Sequence, residues 1–187
     1  MELLGYHGTD KRHYCAIKAE NFMASRGRDH WLGNGAYFFI EGVSRCPKED
    51  AEEWAHVESY DRGTKVKKYP EFCVIEAKIE LKNPLDLRDR EIVREFNSMR
   101  LEFMSRIEKR IFGRIYDPDV ISVLTHSLDL DGVIADLFFR VKAMDRKKRT
   151  DSRIPNCTVL CVVKPQSAIS LDSIASHLEG PADHERH

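Results

Sequence analysis

The chain has 187 residues, of which 42% are hydrophobic and 33% charged, and its net charge is −1. This composition is typical of a globular protein, and the length fits one domain with enough chain to bury a core. The balanced charge excludes a protein that binds nucleic acid through bulk positive charge alone. No apolar run approaches the roughly 18 residues that a membrane span needs.

The termini and cysteines point to a cytoplasmic protein. The N-terminal sequence MELLGYHGTD lacks the basic region and the long apolar stretch of a secretion signal. The five cysteines are an odd number without a CxxC pair, and Cys73, Cys157 and Cys161 lie in apolar runs, where cysteine usually behaves as a small buried hydrophobe. We therefore expect a reducing compartment, no disulfide framework and no zinc site.

Short strands and helices alternate along the first third of the chain. Apolar runs indicate strands, and apolar residues at helical spacing indicate helices. The predicted elements are a strand over 2–6, a helix over 11–21 capped by Asp10, a glycine-rich loop over 26–35, a strand over 36–40 and a helix over 48–60 that follows Pro47.

The rest of the chain contains a long helix and further separated strands. The predicted elements are a basic loop over 61–70, a strand over 72–81, an amphipathic helix over 88–112, a helix over 117–126, a buried strand over 132–135, a basic loop over 140–153 and a strand over 158–163. Without regular βαβ alternation, this order favours an α+β fold over a doubly wound sheet. We expect one domain over 1–176 and a flexible tail over 177–187.

Two short motifs stand out because they occur together. Tyr6-His7-Gly8-Thr9 ends the first predicted strand, and Gly33-Asn34-Gly35-Ala36-Tyr37-Phe38-Phe39 leads into the second, thirty residues later. Each motif alone is weak, since an exposed histidine is common and the second motif also fits a turn before a strand with a core tyrosine. The sequence contains no Walker loop, GxGxxG fingerprint, HExxH helix or GxSxG elbow.

In this order and spacing, the two motifs resemble the diphtheria-toxin-like and poly(ADP-ribose)-polymerase-like branch of the ADP-ribosyltransferases. Residues 29–39 (DHWLGNGAYFF) and 51–55 (AEEWA) are similar to a group of small bacterial proteins of this superfamily. The resemblance implies a compact split β-sheet with flanking helices, NAD⁺ as co-substrate and no metal. It also implies a toxin of a phage-defence or toxin–antitoxin module, with an antitoxin protein as a possible partner.

The resemblance assigns the NAD⁺ pocket to seven residues: His7, Gly8, Thr9, Gly33, Gly35, Tyr37 and Trp54. His7 can donate a hydrogen bond to a ribose hydroxyl, and Tyr37 can stack on the nicotinamide ring. Gly8 allows the backbone to approach the carboxamide, and Gly33 and Gly35 free their loop to bend around the dinucleotide. We expect His7 and Tyr37 to face each other across one cleft whose floor is lined by Gly8, and neither needs to be a core residue. Trp54 is either a wall of the pocket or a core residue.

A third element departs from the family pattern. Members of the branch often carry a glutamate on a late strand, where its carboxylate binds a ribose hydroxyl. Here that position falls at Val159, beside Thr158. Elongation to poly(ADP-ribose) is therefore not expected, whereas transfer of a single unit needs only a base from the target or from another residue. Three acidic residues are candidate substitutes: Glu41, Asp136 and Asp151.

The acceptor is the least determined part of the prediction. The stretch 140–153 contains seven Lys or Arg against two Asp. Arg146, Lys147, Lys148 and Arg149 are therefore candidates for target binding through the phosphates of RNA or another nucleic acid. An acidic protein partner fits the same stretch, and so does a solvated loop. We expect a mono-ADP-ribosyltransferase; the alternatives are a catalytically silent module that binds NAD⁺, ADP-ribose or a protein, and an NAD⁺ glycohydrolase.

Overall fold

The computed structural model describes residues 1–25, 30–61, 63–107, 116–140 and 142–183. Its strands are β1 (Glu2–Asp10), β2 (Ala36–Ile40), β3 (Tyr60–Asp61), β4 (Val66–Lys67), β5 (Glu71–Glu80), β6 (Pro84–Asp86), β7 (Gly132–Leu137), β8 (Cys157–Val162) and β9 (Ala175–Pro181). Its α-helices are α1 (Tyr14–Glu20), α2 (Pro47–Glu58), α3 (Arg90–Ile107), α4 (Asp117–Ser127), α5 (Ala143–Lys148) and α6 (Pro165–Ala168).

Seven strands form one mixed sheet in the order β6-β7-β8-β2-β1-β5-β9, and β3 and β4 form a separate hairpin. The β6–β7 pair is parallel, and the other neighbouring pairs of the sheet are antiparallel. A large mixed sheet with helices packed on it is compatible with the α+β class expected from the sequence. Within the described ranges, no helix has both the length and the apolar sequence required to cross a membrane.

The core consists of two buried clusters, one on each face of the sheet. Side chains alternate between the faces along a strand, so in β5 Phe72 and Val74 join one cluster and Cys73 and Ile75 join the other. This double burial explains why the first half of β5 is continuously apolar. Full burial of a side chain such as Ile75 contributes about 1.5–3 kcal/mol.

Helix α2 covers the face of the first cluster. It begins with Pro47, which suits the first turn of a helix because its ring fixes φ and its missing N–H needs no partner there. Ala51 and Ala55 are fully buried and allow the helix to approach the sheet closely. The opposite face is covered by α1 and by the chain near α6, where the Asn21 amide donates to the Ile169 carbonyl over 2.8 Å.

The pairing of β1 with β2 is much shorter than its pairing with β5. β1 pairs with β5 from Glu2 to Asp10, whereas its register with β2 covers only Gly5↔Ile40 and Tyr6↔Phe39. β2 nevertheless remains paired with β8 along its whole length. The two strands therefore diverge beyond Tyr6, and the sheet opens between them.

Several sequence-based expectations need correction. The motif His7-Gly8-Thr9 lies inside β1 rather than after it. The expected basic loop over 140–153 contains α5. Part of the expected tail is a strand, because β9 adds an edge strand to β5, and after it the Asp183 N–H donates to Nδ1 of His56 over 2.9 Å. Residues 184–187 lie outside the described residues, as do 108–112 at the end of the long helix predicted over 88–112.

Other expectations are confirmed. The strand predicted over 36–40 has those bounds as β2, and the helix predicted over 117–126 is α4, one residue longer. The three cysteines expected to be buried, Cys73, Cys157 and Cys161, are each fully buried.

Candidate functional site

A pocket of about 770 Å³ opens where β1 and β2 diverge. This volume lies within the range of small-molecule and cofactor sites, about 300–1,000 Å³. The pocket is formed by the end of β1, the start of β2, helix α1, the last turns of α2 and the segments before β2 and after β7. The expected pocket residues among its lining are His7, Gly8, Thr9, Gly35, Tyr37 and Trp54.

His7 is held by the backbone of the facing strand. Its Nδ1 lies 2.8 Å from the Tyr37 carbonyl oxygen, and because a carbonyl only accepts, Nδ1 must carry the proton. Burial lowers the pKa of His7, and the bond to Tyr37 offsets this only in part. The neutral ring therefore presents Nε2 as an acceptor. His7 is thus suited to accept a hydrogen bond from a ribose hydroxyl, the reverse of the donation expected from the sequence.

Tyr37 fixes the segment that precedes β2. Its hydroxyl accepts from the Leu32 N–H over 3.0 Å and donates to the Gly33 carbonyl over 2.6 Å. Burial strongly raises the pKa of this hydroxyl, so it stays protonated and can keep donating. The ring packs against the core and lies 5.7 Å from the His30 ring. Tyr37 is thus half-buried and, besides lining the pocket, supports the segment before β2.

His7 and Tyr37 reach the same pocket from opposite faces of the sheet. The His7 ring contacts Phe22 and Phe38, which belong to one core cluster, whereas the Tyr37 ring packs against the other cluster. Their link is the bond from the His7 ring to the Tyr37 main chain. Both residues therefore line one pocket, but their rings pack on opposite faces of the sheet and do not face each other across it, contrary to what the sequence had led us to expect.

Gly8 is required by the packing of α2. A Cβ at Gly8 would lie 1.9 Å from the Ala51 carbonyl oxygen and 3.0 Å from the Ala55 Cβ. The backbone groups of Gly8 and Thr9 lie in the plane of the sheet, where β2 no longer pairs with them. This stretch of β1 consequently has an open edge at which main-chain N–H and C=O groups can meet a ligand. Thr9 also lines the pocket, with its Oγ1 3.4 Å from Nδ1 of His13.

The two glycines before β2 hold their segment in place. Gly33 has φ +83°, a conformation that disfavours other residues. A Cβ at Gly35 would lie 2.6 Å from the Val162 carbonyl oxygen, and Gly35 exchanges two main-chain hydrogen bonds with Ser25. Gly35 lines the pocket and Gly33 lies behind it. Both glycines are thus needed for a fixed turn. From the sequence we had instead expected them to let the loop bend around the dinucleotide.

Aromatic side chains form one wall of the pocket. The Trp54 ring lies 5.6 Å from the Phe139 ring, which in turn lies 5.3 Å from the Trp31 ring. Asn156 fixes Phe139 by bonding its N–H and its carbonyl over 2.9 and 2.8 Å. Trp31 is 56% exposed. Trp54 is therefore both a core contact and a pocket wall. No sequence pattern indicated that Trp31 and Phe139 would join it.

Val159 and Thr158, which occupy the place of the late-strand glutamate of the resembled branch, face different sides of the sheet. Val159 pairs with Phe39 and lines the pocket. Thr158 points to the other face and is fully buried; its hydroxyl donates to Asp136 over 2.6 Å and accepts from the Val43 N–H over 2.9 Å. Thr158 and Asp136 are thus engaged with each other away from the pocket lining. The position that carries glutamate in the resembled branch presents only an apolar side chain to the pocket.

Other carboxylates reach the pocket instead. Neither Glu41 nor Asp151, the remaining candidate substitutes, belongs to the lining. Within the part of the chain that the structure describes, the lining carboxylates are Glu20, at the end of α1, and Glu58, at the end of α2. Sequence reasoning missed both, because each is one of many acids on a polar helix surface.

The basic stretch divides into docked and exposed residues. The side chain of Arg146 is only 10% exposed and lies 3.6 Å from the Glu53 carboxylate, and Lys142 lies 3.5 Å from Asp50. These contacts dock α5 against α2. Lys147, Lys148 and Arg149 are exposed. Of the four residues predicted to bind the target, Arg146 therefore packs α5 against α2, and Lys147, Lys148 and Arg149 remain exposed.

Comparisons with known proteins give no further assignment. No protein-family model matches the chain, and no curated protein matches it. Among the described residues, no group of three or more His, Cys, Asp or Glu side chains is arranged to hold a metal ion. The functional interpretation therefore depends on the geometry of the pocket and on the motif resemblance.

Proposed function

We propose that this chain transfers a single ADP-ribose unit from NAD⁺ to a macromolecular acceptor and releases nicotinamide. The observation that supports this most strongly is the pocket at the split between β1 and β2. Residues of both motifs, His7, Gly8 and Thr9 on one strand and Tyr37 on the other, line this one pocket although thirty residues of sequence separate them.

The chemistry of the lining suits the parts of NAD⁺. Neutral His7 offers Nε2 to a ribose hydroxyl, and the open edge of β1 offers main-chain groups to the carboxamide. Planar rings can stack on the aromatic wall that includes Trp54 and Trp31. Such a site holds the nicotinamide and the riboses in place while the bond between the nicotinamide and its ribose breaks. The bond needs little help from a nucleophile because its transition state resembles an oxocarbenium ion.

Two features favour one type of transfer reaction and one class of acceptor. Val159 provides no polar group to activate a ribose hydroxyl, which favours transfer of one unit over chain elongation. The exposed residues Lys147, Lys148 and Arg149 favour an acceptor that carries phosphates, namely RNA or another nucleic acid. In this proposal the chain acts as a toxin of a bacterial defence or toxin–antitoxin system.

The direct test is incubation with labelled NAD⁺ and a cell lysate, followed by treatment of one half with RNase and the other with protease. We expect labelled macromolecules from the wild type, label lost on RNase treatment, and at least a 100-fold reduction for His7→Ala. His126→Ala, which changes an exposed histidine on α4 outside the pocket, is the matched control. Absence of labelling and of nicotinamide release in the wild type would refute the proposal, whether or not NAD⁺ binds.

A silent binding module is the second candidate. The apolar Val159 at the position of the usual glutamate favours it. It predicts that calorimetry detects NAD⁺ or ADP-ribose binding, that His7→Ala weakens this binding, and that no nicotinamide is released with any lysate fraction. Release of free ADP-ribose without labelled macromolecules would instead indicate a glycohydrolase, which uses the same pocket with water as acceptor.

A further inference from the structure

A second pocket, of about 470 Å³, adjoins the pocket at the split. Trp54 and Glu58 line both pockets, so the two cavities meet at the last turns of α2. The other polar residues of the second pocket include Lys68 and Arg140. Glu58 is therefore placed beside a molecule in either pocket.

Glu58 occupies an unusual place for an acid. It lies in the last turn of α2, where the partial negative charge of the helix end disfavours a carboxylate. Lys68 on the chain after the hairpin lies 3.2 Å from its Oε2 and holds it at the junction. The side chain is 45% exposed, so a ligand can reach it. Glu20, the other described carboxylate of the first pocket, does not line the second.

We propose that Glu58 is the general base of the transfer reaction and that the acceptor enters through the second pocket. This inference rests on the proposed function. The bond between nicotinamide and C1′ of the ribose breaks, and its electron pair leaves with neutral nicotinamide. An O–H or N–H group of the acceptor then attacks C1′, and its proton passes to the Glu58 carboxylate. The products are the ADP-ribosylated acceptor, nicotinamide and one proton.

This role defines the chemical class of the acceptor. A nucleophile that must lose a proton, such as a hydroxyl or a neutral nitrogen, needs a base, whereas a phosphate or a carboxylate is already ionised. Arg140, whose side chain is 45% exposed, can offer positive charge to a negative group of the acceptor. Lys68, in contrast, is paired with Glu58, and Asp61 lines the same pocket. Glu58 thereby supplies from α2 the carboxylate that Val159 does not provide from β8.

The test exploits the difference between neutral and anionic nucleophiles. Glu58→Gln keeps the size of the side chain and removes its basicity, so we expect nicotinamide release with lysate acceptors to fall about 100-fold or more. Sodium azide should restore release in this variant and form ADP-ribosyl azide, because the azide anion needs no base. NAD⁺ binding measured by calorimetry should stay within about twofold of the wild type. Glu49→Gln, an exposed site on the same helix outside both pockets, is the matched control and should behave like the wild type.

The outcomes separate this inference from the proposed function. Wild-type activity in Glu58→Gln, or a loss that azide does not restore, would overturn the role of Glu58 while leaving the transfer reaction intact. Azide rescue in Glu20→Gln instead of Glu58→Gln would assign the base to α1 and overturn it as well. A wild type that never releases nicotinamide would overturn both the inference and the proposed function.

Discussion

Replacement of Gly8 by alanine tests why a glycine stands in the first motif. The added Cβ would lie 1.9 Å from the Ala51 carbonyl oxygen, whereas ordinary contact begins near 3.4 Å. The backbone of α2 would therefore have to move by about 1.5 Å, a distance that follows from these two values. Overpacking of this kind costs about 1–3 kcal/mol, and a backbone atom that cannot rotate away favours the upper end. For a chain of this length, about 3 kcal/mol lowers Tm by about 6–12 °C.

Thermal unfolding followed by circular dichroism measures this effect. Gly63→Ala is the control, because among the described residues a Cβ there meets only the Asp61 side chain, at 3.3 Å, and should change stability by about 0.5 kcal/mol or less. Adding Ala55→Gly to Gly8→Ala should restore little, since it leaves the contact with the Ala51 carbonyl. If Gly8→Ala instead keeps the wild-type Tm and loses NAD⁺ binding, then the glycine serves the ligand and not the helix, and our packing argument fails.

Three further predictions concern the hydrogen bonds and charges around the pocket. Tyr37→Phe should lower the free energy of unfolding by about 1–3 kcal/mol, because it removes the acceptor of one main-chain bond and the donor of another; an unchanged urea midpoint would contradict this. Arg146→Gln should lower stability by about 1 kcal/mol or more, whereas Lys147→Gln, at an exposed neighbouring site, should change it by about 0.5 kcal/mol or less; equal effects would mean that α5 does not dock through Arg146. Burial lowers the pKa of His7 below 6.5 in the folded chain. As pH falls from 7 through 6.5, the His7 ring is therefore protonated in the unfolded chain before it is protonated in the folded chain, and the free energy of unfolding of the wild type should decrease. His7→Asn keeps a donor for the Tyr37 carbonyl and should lose less stability over that range, and parallel urea midpoints from pH 7.5 to 5 would refute the assignment.

The strands and helices with strong apolar patterns could be predicted from the sequence. β2 is apolar at every residue and is buried on both faces, so its bounds follow from the sequence. α2 could be placed because Pro47 marks its start and buried alanines mark its inner side. These are local signals, and the structure adds only the neighbours that they meet.

The sequence did not indicate the elements that depend on distant partners. β9 has the sequence ASHLEGP, which contains few strand-forming residues, and it is a strand because the edge of β5 offers it hydrogen bonds. α5 is a short polar helix that docks through Arg146 and Lys142 onto acids of α2, which are about ninety residues away in the chain. In both cases tertiary contacts outweigh weak local preference.

The candidate site likewise combines residues that the sequence indicates with residues that only distant contacts bring together. His7 and Tyr37 could be singled out because each lies in a recognisable motif, and both line the pocket. The sequence could not show that their rings pack on opposite faces of the sheet. The aromatic wall could not be found in this way, because Trp31, Trp54 and Phe139 come from three separate segments. Their assembly depends on how α2 and the segment after β7 pack over the split.

The split in the sheet connects the fold to the proposed chemistry. An unpaired edge inside a sheet exposes main-chain groups, and such an edge is costly unless something else satisfies them. Here the His7 ring spans the gap by donating to the Tyr37 carbonyl, so part of the cost is met by a side chain and the strands are held at a fixed separation. Beyond Tyr6, β1 stays paired with β5, and only its main-chain groups that point toward β2 can meet a ligand. The same histidine thus holds the pocket open and, through Nε2, offers a contact within it, which is why replacing His7 should affect both stability and ligand binding.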